Sequence, residues 1–408
     1  MGSAAVLGIL GAAAGLIFMG VIGAGGDWYT DSDPGWFGGQ WWWVGIAAAA
    51  GVGVGLLRRL TRLPDHTPGL IADMQAGHVD PGLVPGIVAV SAVSLIGGAS
   101  LGPEKALGAM GGGAGTWGSQ RRRLNEEDSR VNTLVGFAGA YGGLFSSTVI
   151  VVMLILEVAR PGGRQLTKAL VGSIVASSVS FGIYFAIAGS VFADAYQVPQ
   201  YRYEDWQLLA GVGLGLLAAV VVTLLGVFVK VMMRLFGKLK LPAIAHAVIG
   251  GTVFGLVGVA LPLTMFTGSD QLKTVLAGAG TLSLGLLVAV VVAKMLTFAV
   301  CQASGFVGGP IFPALFIGGT AGVCVHHVFT SVPLGLAFTC MLAAVPGSLV
   351  SGPFSMVLLA AFLTQIGPLE TAPVLIAVVT AFVAVQAVEY LVATRSRAAA
   401  AAAEPAPT

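Results

Sequence analysis

The chain has 408 residues, of which 56% are hydrophobic and only 9% are charged, and its formal net charge at pH 7 is +2. Its mean hydropathy of +0.91 is far too high for an ordinary soluble domain. So small a net charge also argues against nucleic acid as a partner. The composition therefore predicts a multi-pass protein of the lipid bilayer.

The apolar stretches follow one another with short polar connections. The first of them, from Ser3 to Ala24, has no basic segment before it and no cleavage site followed by soluble sequence. We therefore interpret it as a retained span rather than a signal peptide. The uneven lengths are typical of folds with tilted and re-entrant helices. The runs lie near residues 2–25, 41–58, 83–101, 103–118, 132–157, 166–192, 206–235, 243–265, 275–303, 311–329, 333–363 and 370–394.

The charges between these runs predict the orientation of the chain. Basic clusters alternate with acidic connections along the sequence, and the positive-inside rule places the basic set in the cytoplasm. We therefore expect a protein of the cell (inner) membrane with both termini inside. The basic clusters lie at 58–59, 160–168, 230–240 and 395–397, and the acidic connections lie at 27–33 and 194–205.

An internal repeat divides the chain. Gly102-Pro103 is followed nine residues later by Gly111-Gly112, and the same pattern recurs 207 residues further on as Gly309-Pro310 and Gly318-Gly319. A second block recurs at an offset of 205: Ala138, Gly142, Leu144 and Ser146 return as Ala343, Gly347, Leu349 and Ser351. Duplicated halves are typical of transporters whose site lies at the repeat interface. We predict a transmembrane domain at 1–396, repeat halves at about 41–162 and 206–394, and a disordered tail at 397–408.

Glu104 follows the first Gly-Pro step directly, inside an apolar stretch where an ionisable group is costly unless it faces water or a partner. A proline followed by glutamate is typical of a helix start. A helix that starts at membrane depth exposes unpaired N–H groups, which attract an anion. Carboxylate and anion would compete for one place, so we predict that Glu104 is a gate opened by protonation or displacement. The alternative is a helix-capping carboxylate paired with Lys105.

The second broken helix follows the run Ser304–Pro313, which is rich in glycine and proline. Its free N–H groups are the predicted anion ligands. Backbone dipoles bind an anion weakly enough to release it, whereas a buried lysine or arginine would tend to trap it. The alternative is a hydrophobic bend that binds no ligand.

These motifs resemble those of a known family. Residues 102–106 followed by 110–112 resemble the motif Gly-Arg-Glu-Gly-Pro…Ile-Gly-Gly of the CLC chloride channels and transporters. The run 304–313 resembles that family's Ser-Gly-…-Gly-Gly-x-Phe-x-Pro, and 157–161 resembles its Glu-Glu-x-Arg-Pro. The resemblance extends over about residues 40–385 and is closest to the bacterial ion-transport branch. It implies an all-α polytopic protein with two inverted-topology repeats and broken, re-entrant helices.

The resemblance also implies roles for single residues. Glu104 becomes the external gating glutamate, and the N–H groups of Ile311 and Phe312 face chloride. Two departures from the family pattern matter. Pro310 stands where many relatives have an N–H donor, and Lys105 places an extra positive charge beside the gate, which raises the local anion concentration. The predicted anion-binding positions in these two motifs are Gly102, Pro103, Lys105, Gly309, Pro310, Ile311 and Phe312.

Two hydroxyl ligands are further implied by the resemblance, one on an earlier re-entrant helix and one near the C-terminus. Thr67, just before Pro68, is the candidate for the first, and helix capping is the alternative role. Tyr390 is the candidate for the second. The sequence around Tyr390 lacks the family pattern and fits an interfacial aromatic anchor.

The family's internal proton-relay glutamate aligns with Val158, an apolar residue that carries no proton, while its neighbour Glu157 remains. Loss of this relay favours passive, channel-like chloride flow. Some relatives couple protons without that residue, so a proton-coupled chloride or fluoride antiporter stays open as the alternative. The resemblance further implies a homodimer with a separate pore in each subunit.

The sequence shows no arrangement typical of an enzyme: we find no nucleotide loop, no paired carboxylates at catalytic spacing and no Ser-His-Asp set in a shared context. His326 and His327 have no carboxylate or cysteine companions, so neither a metal site nor a cofactor is predicted. Lys294 is predicted to be a paired structural charge. A non-transporting membrane scaffold or enzyme remains the hypothesis from another class.

Overall fold

The computed structural model describes residues 2–31, 41–64, 67–190 and 196–403. Within these ranges the chain is helical apart from its connections and one isolated backbone bridge. The all-α polytopic fold predicted from the sequence is confirmed. The first eight helices are α1 Gly2–Asp31, α2 Trp42–Leu60, α3 Leu70–Ala76, α4 Val84–Ile96, α5 Glu104–Arg121, α6 Glu126–Leu144, α7 Thr148–Ala159 and α8 Gly163–Ala188.

The second eight helices repeat this order. A single 3-10 turn, Pro262–Thr264, separates the second and third of them. They are α9 Trp206–Lys238, α10 Ala243–Ala260, α11 Ser269–Ala277, α12 Leu284–Ala303, α13 Ile311–Val328, α14 Leu334–Leu349, α15 Pro353–Thr364 and α16 Thr371–Ala403. Helix α16 thus continues into the tail predicted to be disordered, and residues 404–408 lie outside the described part of the chain.

The repeat predicted from the motifs is visible in the geometry. Helices α5 and α13 each have 18 residues and start 207 positions apart, and α7 and α15 each have 12 residues and start 205 positions apart. Left-handed backbone conformations recur at the same offsets, with φ of +83° at Gly98 and +93° at Gly305, and with φ of +50° at Ser146 and +57° at Ser351. Equivalent residues therefore turn the chain in the same way in both halves.

Helix packing also repeats, because most helix contacts of the first half recur eight helices later in the second. In the first half α6 packs against α1, α5 and α8, and in the second half α14 packs against α9, α13 and α16. The two halves meet where α2 packs on α10 and where α7 packs on α15. The repeat units defined by these contacts are α1–α8 and α9–α16. They extend beyond the limits of about 41–162 and 206–394 that the sequence motifs indicated.

Eight of the described helices are long and apolar enough to cross a membrane: α1, α2, α8, α9, α10, α12, α13 and α16. A span of the hydrocarbon core needs about 20 apolar residues, so α3, α4, α7, α11, α14 and α15 are too short to cross it alone. Two long apolar runs of the sequence are each divided between two helices. The first breaks at 145–147 between α6 and α7, and the second breaks at 350–352 between α14 and α15.

Local signals explain these breaks. At the first, Ser147 adopts an extended conformation and its hydroxyl accepts a hydrogen bond from the Ile150 N–H group at 3.4 Å, so the chain restarts as a new helix. At the second, Gly352 precedes Pro353 at the first position of α15. Both breaks therefore start a new helix, α7 or α15, within a long apolar run.

Glycines let the helices that carry the site approach closely. A Cβ atom on Gly111 of α5 would overlap the carbonyl oxygen of Gly136 on α6, and one on Gly318 of α13 would overlap the carbonyl oxygen of Met341 on α14. The two contacts occupy equivalent places in the repeat. Close backbone approach through glycine is typical of helices packed in membranes, where apolar burial alone gives no preference for protein over lipid.

Candidate functional site

The two Gly-Pro motifs meet in the folded chain. The Gly102 N–H group donates to the Gly309 carbonyl oxygen at 2.9 Å, and the Gly309 N–H group donates to the Gly102 carbonyl oxygen at 2.7 Å. These bonds form an antiparallel bridge. Because Glu104 and Ile311 begin α5 and α13, the amino ends of both helices lie within a few residues of this bridge. The predicted convergence of the broken helices is present in the structure.

Helix α13 has two main-chain N–H groups at its amino end that have no carbonyl partner within the helix. Pro310 precedes the helix and Pro313 lies in its first turn, so neither position has an N–H group. The Ala314 N–H group already donates to the Pro310 carbonyl oxygen at 3.1 Å. The first turn therefore leaves only the N–H groups of Ile311 and Phe312, together with the positive end of the helix dipole, for an anionic partner.

That partner is the carboxylate of Glu104. Its Oε1 accepts a hydrogen bond from the Ile311 N–H group at 2.5 Å, and the Phe312 N–H group also interacts with this carboxylate. The side chain is completely buried, and Oε2 has no hydrogen-bond partner among the described residues. A carboxylate from one repeat thus occupies the amino end of a helix from the other, where an anion would be expected to bind.

The lack of side chains at Gly102 and Gly309 makes room for this carboxylate. A Cβ atom at either position would overlap the carboxylate of Glu104. Neither glycine has a positive φ. The requirement is therefore one of space, and any larger residue at these positions would displace the Glu104 side chain.

Tyr141 holds the backbone of Glu104 and was not anticipated from the sequence. Its hydroxyl donates to the backbone carbonyl oxygen of Glu104 at 2.9 Å, and the ring is completely buried between Phe137 and Phe145. The aromatic residues lie four positions apart on one face of α6. The sequence signal that could have identified Tyr141 is its polar hydroxyl within a stripe of aromatic residues on α6.

Lys105 does not pair with Glu104, so the interpretation of Glu104 as a cap paired with its neighbour does not hold. The ammonium of Lys105 instead donates to Asp73 Oδ2 at 2.5 Å and to the Pro68 carbonyl oxygen at 2.7 Å. Asp73 belongs to the short helix α3 and was also missed in the sequence, because nothing local connects it to a residue 32 positions away.

A cavity of about 290 Å³ leads to this region. Among the described residues on its wall there are two cations and no carboxylate. A second cavity of about 340 Å³ shares part of this wall, including Arg58 and Gly305, and also has no carboxylate among the described residues that line it. An anion is therefore favoured over a cation along this route. Wall residues of the first cavity that concern the site are Arg58, Thr67, Lys105, Gly308 and Pro310.

The structure brings Thr67 to this cavity but does not bring Tyr390 to it. The N-cap of α3 is Gly69 and no side chain caps that helix, so Thr67 is not its capping residue. Tyr390 is 72% exposed on α16, whereas Glu104 is fully buried. The sequence around Tyr390 carried no family pattern, and its side chain projects from the outer face of the helix.

Glu157 has a structural role in this fold. Its two carboxylate oxygens accept hydrogen bonds from the N–H groups of Phe354 and Ser355, at 2.7 and 2.8 Å. Glu157 therefore caps the amino end of α15 from the neighbouring helix α7. Val158, at the predicted relay position, is buried and apolar.

Lys294 is the predicted buried structural charge. Its ammonium donates to the carbonyl oxygens of Thr264, Met265 and Phe266 at 3.0, 3.2 and 2.7 Å, and it lies 5.0 Å from the centre of the Phe316 ring. The partners are carbonyl groups rather than the carboxylate that ion pairing would require. This arrangement anchors the turn after α10 to α12.

Comparisons with known proteins agree with the fold and with the family that the motifs resemble. The family model described as "Voltage gated chloride channel" matches residues 66–386, so the chain belongs to the family of CLC chloride channels and transporters. A curated relative, the "Putative ion-transport protein YfeO" of Salmonella choleraesuis (strain SC-B67), is 29% identical over 312 residues, which cover 73% of this chain and 72% of the relative. The predicted membership of this family is confirmed.

Two solved structures share the fold. A slow cyanobacterial Cl⁻/H⁺ antiporter superimposes with a TM-score of 0.81 and 21% identity, over 95% of this chain and 94% of that one. A CLC-type fluoride/proton antiporter superimposes with a TM-score of 0.78 and 18% identity, over 93% of each chain. At such identities the comparison establishes the fold, which includes the inverted repeats predicted above.

Proposed function

We propose that this protein carries chloride or another small anion across the membrane, along a path between α5 and α13 that Glu104 closes. The observation that supports this most directly is the hydrogen bond that the Ile311 N–H group donates to the Glu104 carboxylate. A buried carboxylate held by main-chain donors occupies the place that a permeating anion would take. When the carboxylate leaves, the same donors are available to the anion.

Opening follows from the chemistry of the gate. Protonation converts the carboxylate to a neutral carboxyl group, which is a weaker hydrogen-bond acceptor and is not attracted by the helix dipole. A second anion at high concentration has the same effect by competing for the donors of Ile311 and Phe312. The unpaired Oε2 of Glu104 makes the closed arrangement costly enough to be reversible.

The two adjoining cavities supply the approach from one side. Their shared wall includes Arg58, and Lys105 lines the cavity of about 290 Å³, which also contacts Pro310 before α13. The positive-inside rule assigns this side to the cytoplasm of a protein in the inner membrane. Thr67, Lys105 and the backbone around Gly309 and Pro310 are the proposed contacts of an anion on its way to the gate.

Passive flow is the mode that the internal residues favour. Val158 has no titratable group, and both oxygens of Glu157 already accept hydrogen bonds from α15. Proton-coupled exchange is the second candidate, because the two structures with this fold are described as Cl⁻/H⁺ and fluoride/proton antiporters. In that case a proton must reach Glu104 by a route that avoids the Val158 position.

Flux from liposomes decides between these modes. Purified protein is reconstituted in vesicles loaded with potassium chloride, valinomycin clamps the potential, and chloride and protons are recorded together. Chloride efflux without proton uptake is expected. Proton movement in a fixed ratio to chloride establishes exchange instead, and folded protein without anion flux supports the scaffold hypothesis. The same measurement with fluoride tests the choice of anion.

We also propose a homodimer with one pore in each subunit. Helices α7 and α15 pack together, and each exposes a large apolar residue, Val149 and Phe354, at 61% and 49%. Exposed apolar surface at a repeat interface fits contact with a second copy as well as with lipid. The mass of the particle in detergent measures the stoichiometry, and a monomeric mass contradicts the dimer.

A further inference from the structure

Lys105 contacts the buried carboxylate of Asp73 and also lines the cavity of about 290 Å³. Its ammonium is bonded to Asp73 Oδ2 at 2.5 Å and to the Pro68 carbonyl oxygen at 2.7 Å, and the side chains of Lys105 and Asp73 are only 5% and 10% exposed. Lys105 and Pro68 belong to the cavity wall, whereas Asp73 does not. An anion in the cavity therefore lies beside Lys105, whereas Asp73 is not among the residues that line the cavity.

The pair also lies on the route to the gate. Lys105 follows Glu104 directly in the chain, and Pro310 on the same cavity wall precedes Ile311, which donates to Glu104. An anion that passes between the cavity and the amino end of α13 must pass this wall. Arg58, the other cation of the wall, is engaged with the carbonyl oxygens of Gly305 and Pro64.

A buried lysine without a partner would hold an anion too firmly for rapid passage, because conduction needs exit as well as entry. A carboxylate beside the ammonium reduces this attraction by offering a competing partner. Removing one member of a buried ion pair leaves an uncompensated charge, which is costly unless another ion replaces the lost partner. Asp73 therefore sets how strongly Lys105 can attract an anion.

We propose that Lys105 is a second anion-binding group on this pathway and that Asp73 is its resident competitor, which yields the ammonium to the anion and takes it back on release. This role of Lys105 and Asp73 rests on the proposed anion transport. It resembles the proposed gate, because in both places a carboxylate competes with the anion for its donors. Glu104 competes for main-chain donors, and Asp73 competes for an ammonium. A small inorganic anion such as chloride or bromide is the ligand, since the site offers a single compact cation rather than a wide basic surface.

The test combines affinity, location and flux in the full-length protein. Bromide binding is measured by calorimetry in halide-free buffer, and bromide is located in crystals by its anomalous scattering. Asp73→Asn is expected to bind bromide at least about tenfold more tightly, since charges about 4 Å apart attract strongly in a protein interior. An anomalous peak is expected within hydrogen-bonding distance of the Lys105 ammonium. Chloride efflux is expected to slow, because the anion is held longer.

Two variants serve as controls. Asp73→Asn combined with Lys105→Met removes both charges and is expected to lose the tight bromide site while keeping the fold. Asp128→Asn makes the same chemical change beside the exposed Lys168, whose ammonium lies 2.7 Å from Asp128 Oδ1. It is expected to leave bromide affinity unchanged, because an exposed lysine is compensated by water.

Each outcome decides the inference. An unchanged bromide affinity in folded Asp73→Asn, or a bromide peak elsewhere, overturns it. If Asp73→Asn does not fold, crystals of the unaltered protein are soaked at rising bromide concentrations, and no peak beside Lys105 when the amino end of α13 is occupied overturns it equally. Absence of flux in the unaltered protein contradicts the proposed transport, whereas the binding measurements test the Lys105 site by themselves.

Discussion

Replacing Glu104 by glutamine keeps the size of the gate and removes its charge. In the structure the charged oxygen accepts a hydrogen bond from the Ile311 N–H group at 2.5 Å, in a site with no exposure to solvent. Glutamine still offers a carbonyl oxygen to this donor, but the bond is no longer charge-assisted. The substitution therefore weakens the closed state without opening a hole in the packing.

The size of the effect follows from the two kinds of bond. A hydrogen bond to a charged group contributes about 1.5–3 kcal/mol and a neutral one about 0.5–1.5 kcal/mol, so the closed state loses about 1–1.5 kcal/mol. At about 1.4 kcal/mol for each factor of ten, an anion competes with the side chain roughly 5–12 times more effectively. Chloride efflux at low chloride concentration is expected to rise by a similar factor.

The second expectation concerns pH. In the unaltered protein acidification increases efflux, because protonation neutralises the carboxylate that blocks the path. Glu104→Gln has no proton to gain, so its efflux stays flat over about pH 4–8, the range in which a carboxylate of ordinary or raised pKa titrates. The assay is chloride efflux from liposomes in matched buffers. Glu157→Gln is the control, since it makes the same change in a carboxylate that caps α15.

Either of two results refutes this reasoning. If Glu104→Gln retains both the pH dependence and the rate of the unaltered protein, the Glu104 carboxylate does not close the path. If Glu157→Gln abolishes the pH dependence instead, the titrating group lies at α15, and the proposed place of the gate is wrong.

Three further changes follow from the structure. Gly309→Ala places a Cβ atom in the space of the Glu104 carboxylate, so it is expected to raise chloride efflux and to reduce the pH dependence of that efflux. Gly213→Ala is the control, because a Cβ atom there meets nothing within 4 Å, and it is expected to change neither. Equal efflux from both variants contradicts the steric argument. Glu157→Gln keeps one acceptor oxygen but loses the second hydrogen bond to α15 and the charge that strengthens both, and it should destabilise the protein by at least about 1 kcal/mol in thermal unfolding while flux is retained. Lys294→Met removes the ammonium that donates to the carbonyl oxygens of Thr264, Met265 and Phe266, and a buried carbonyl group that loses its only donor costs about 1–3 kcal/mol; an unfolding temperature within a degree or two of the unaltered protein would show that Lys294 does not anchor this turn.

The sequence was informative about the fold where chemistry is local. Gly-Pro steps, glycine pairs and apolar length predicted the broken helices and the repeat, because helix starts and close approaches depend on the residues at those points. Apolar length did not reveal that 132–157 and 333–363 each contain two helices. Their breaks depend on left-handed residues at Ser146 and Ser351, where serine has no strong preference for that conformation.

The site was predictable to the same extent. Glu104 was predicted from a proline–glutamate helix start in an apolar stretch, and the resemblance to the CLC family added Ile311 and Phe312. Asp73 and Tyr141 were missed, since each reaches the gate region through tertiary packing from a helix whose own pattern is unremarkable. The role of Glu157 was also hidden, because its partners Phe354 and Ser355 lie almost 200 residues further along the chain.

The asymmetry between the two repeats explains how the site closes. Equivalent glycine and proline residues bring the two amino ends together, but the first helical residue is Glu104 in one half and Ile311 in the other. Two carboxylates facing each other in this buried place would repel, and two apolar residues would leave main-chain donors without an acceptor. With Glu104 in one half and Ile311 in the other, the carboxylate accepts a hydrogen bond from the Ile311 N–H group. The inverted repeat supplies the convergence of the helices, and the difference at this pair of positions supplies the carboxylate of the proposed gate.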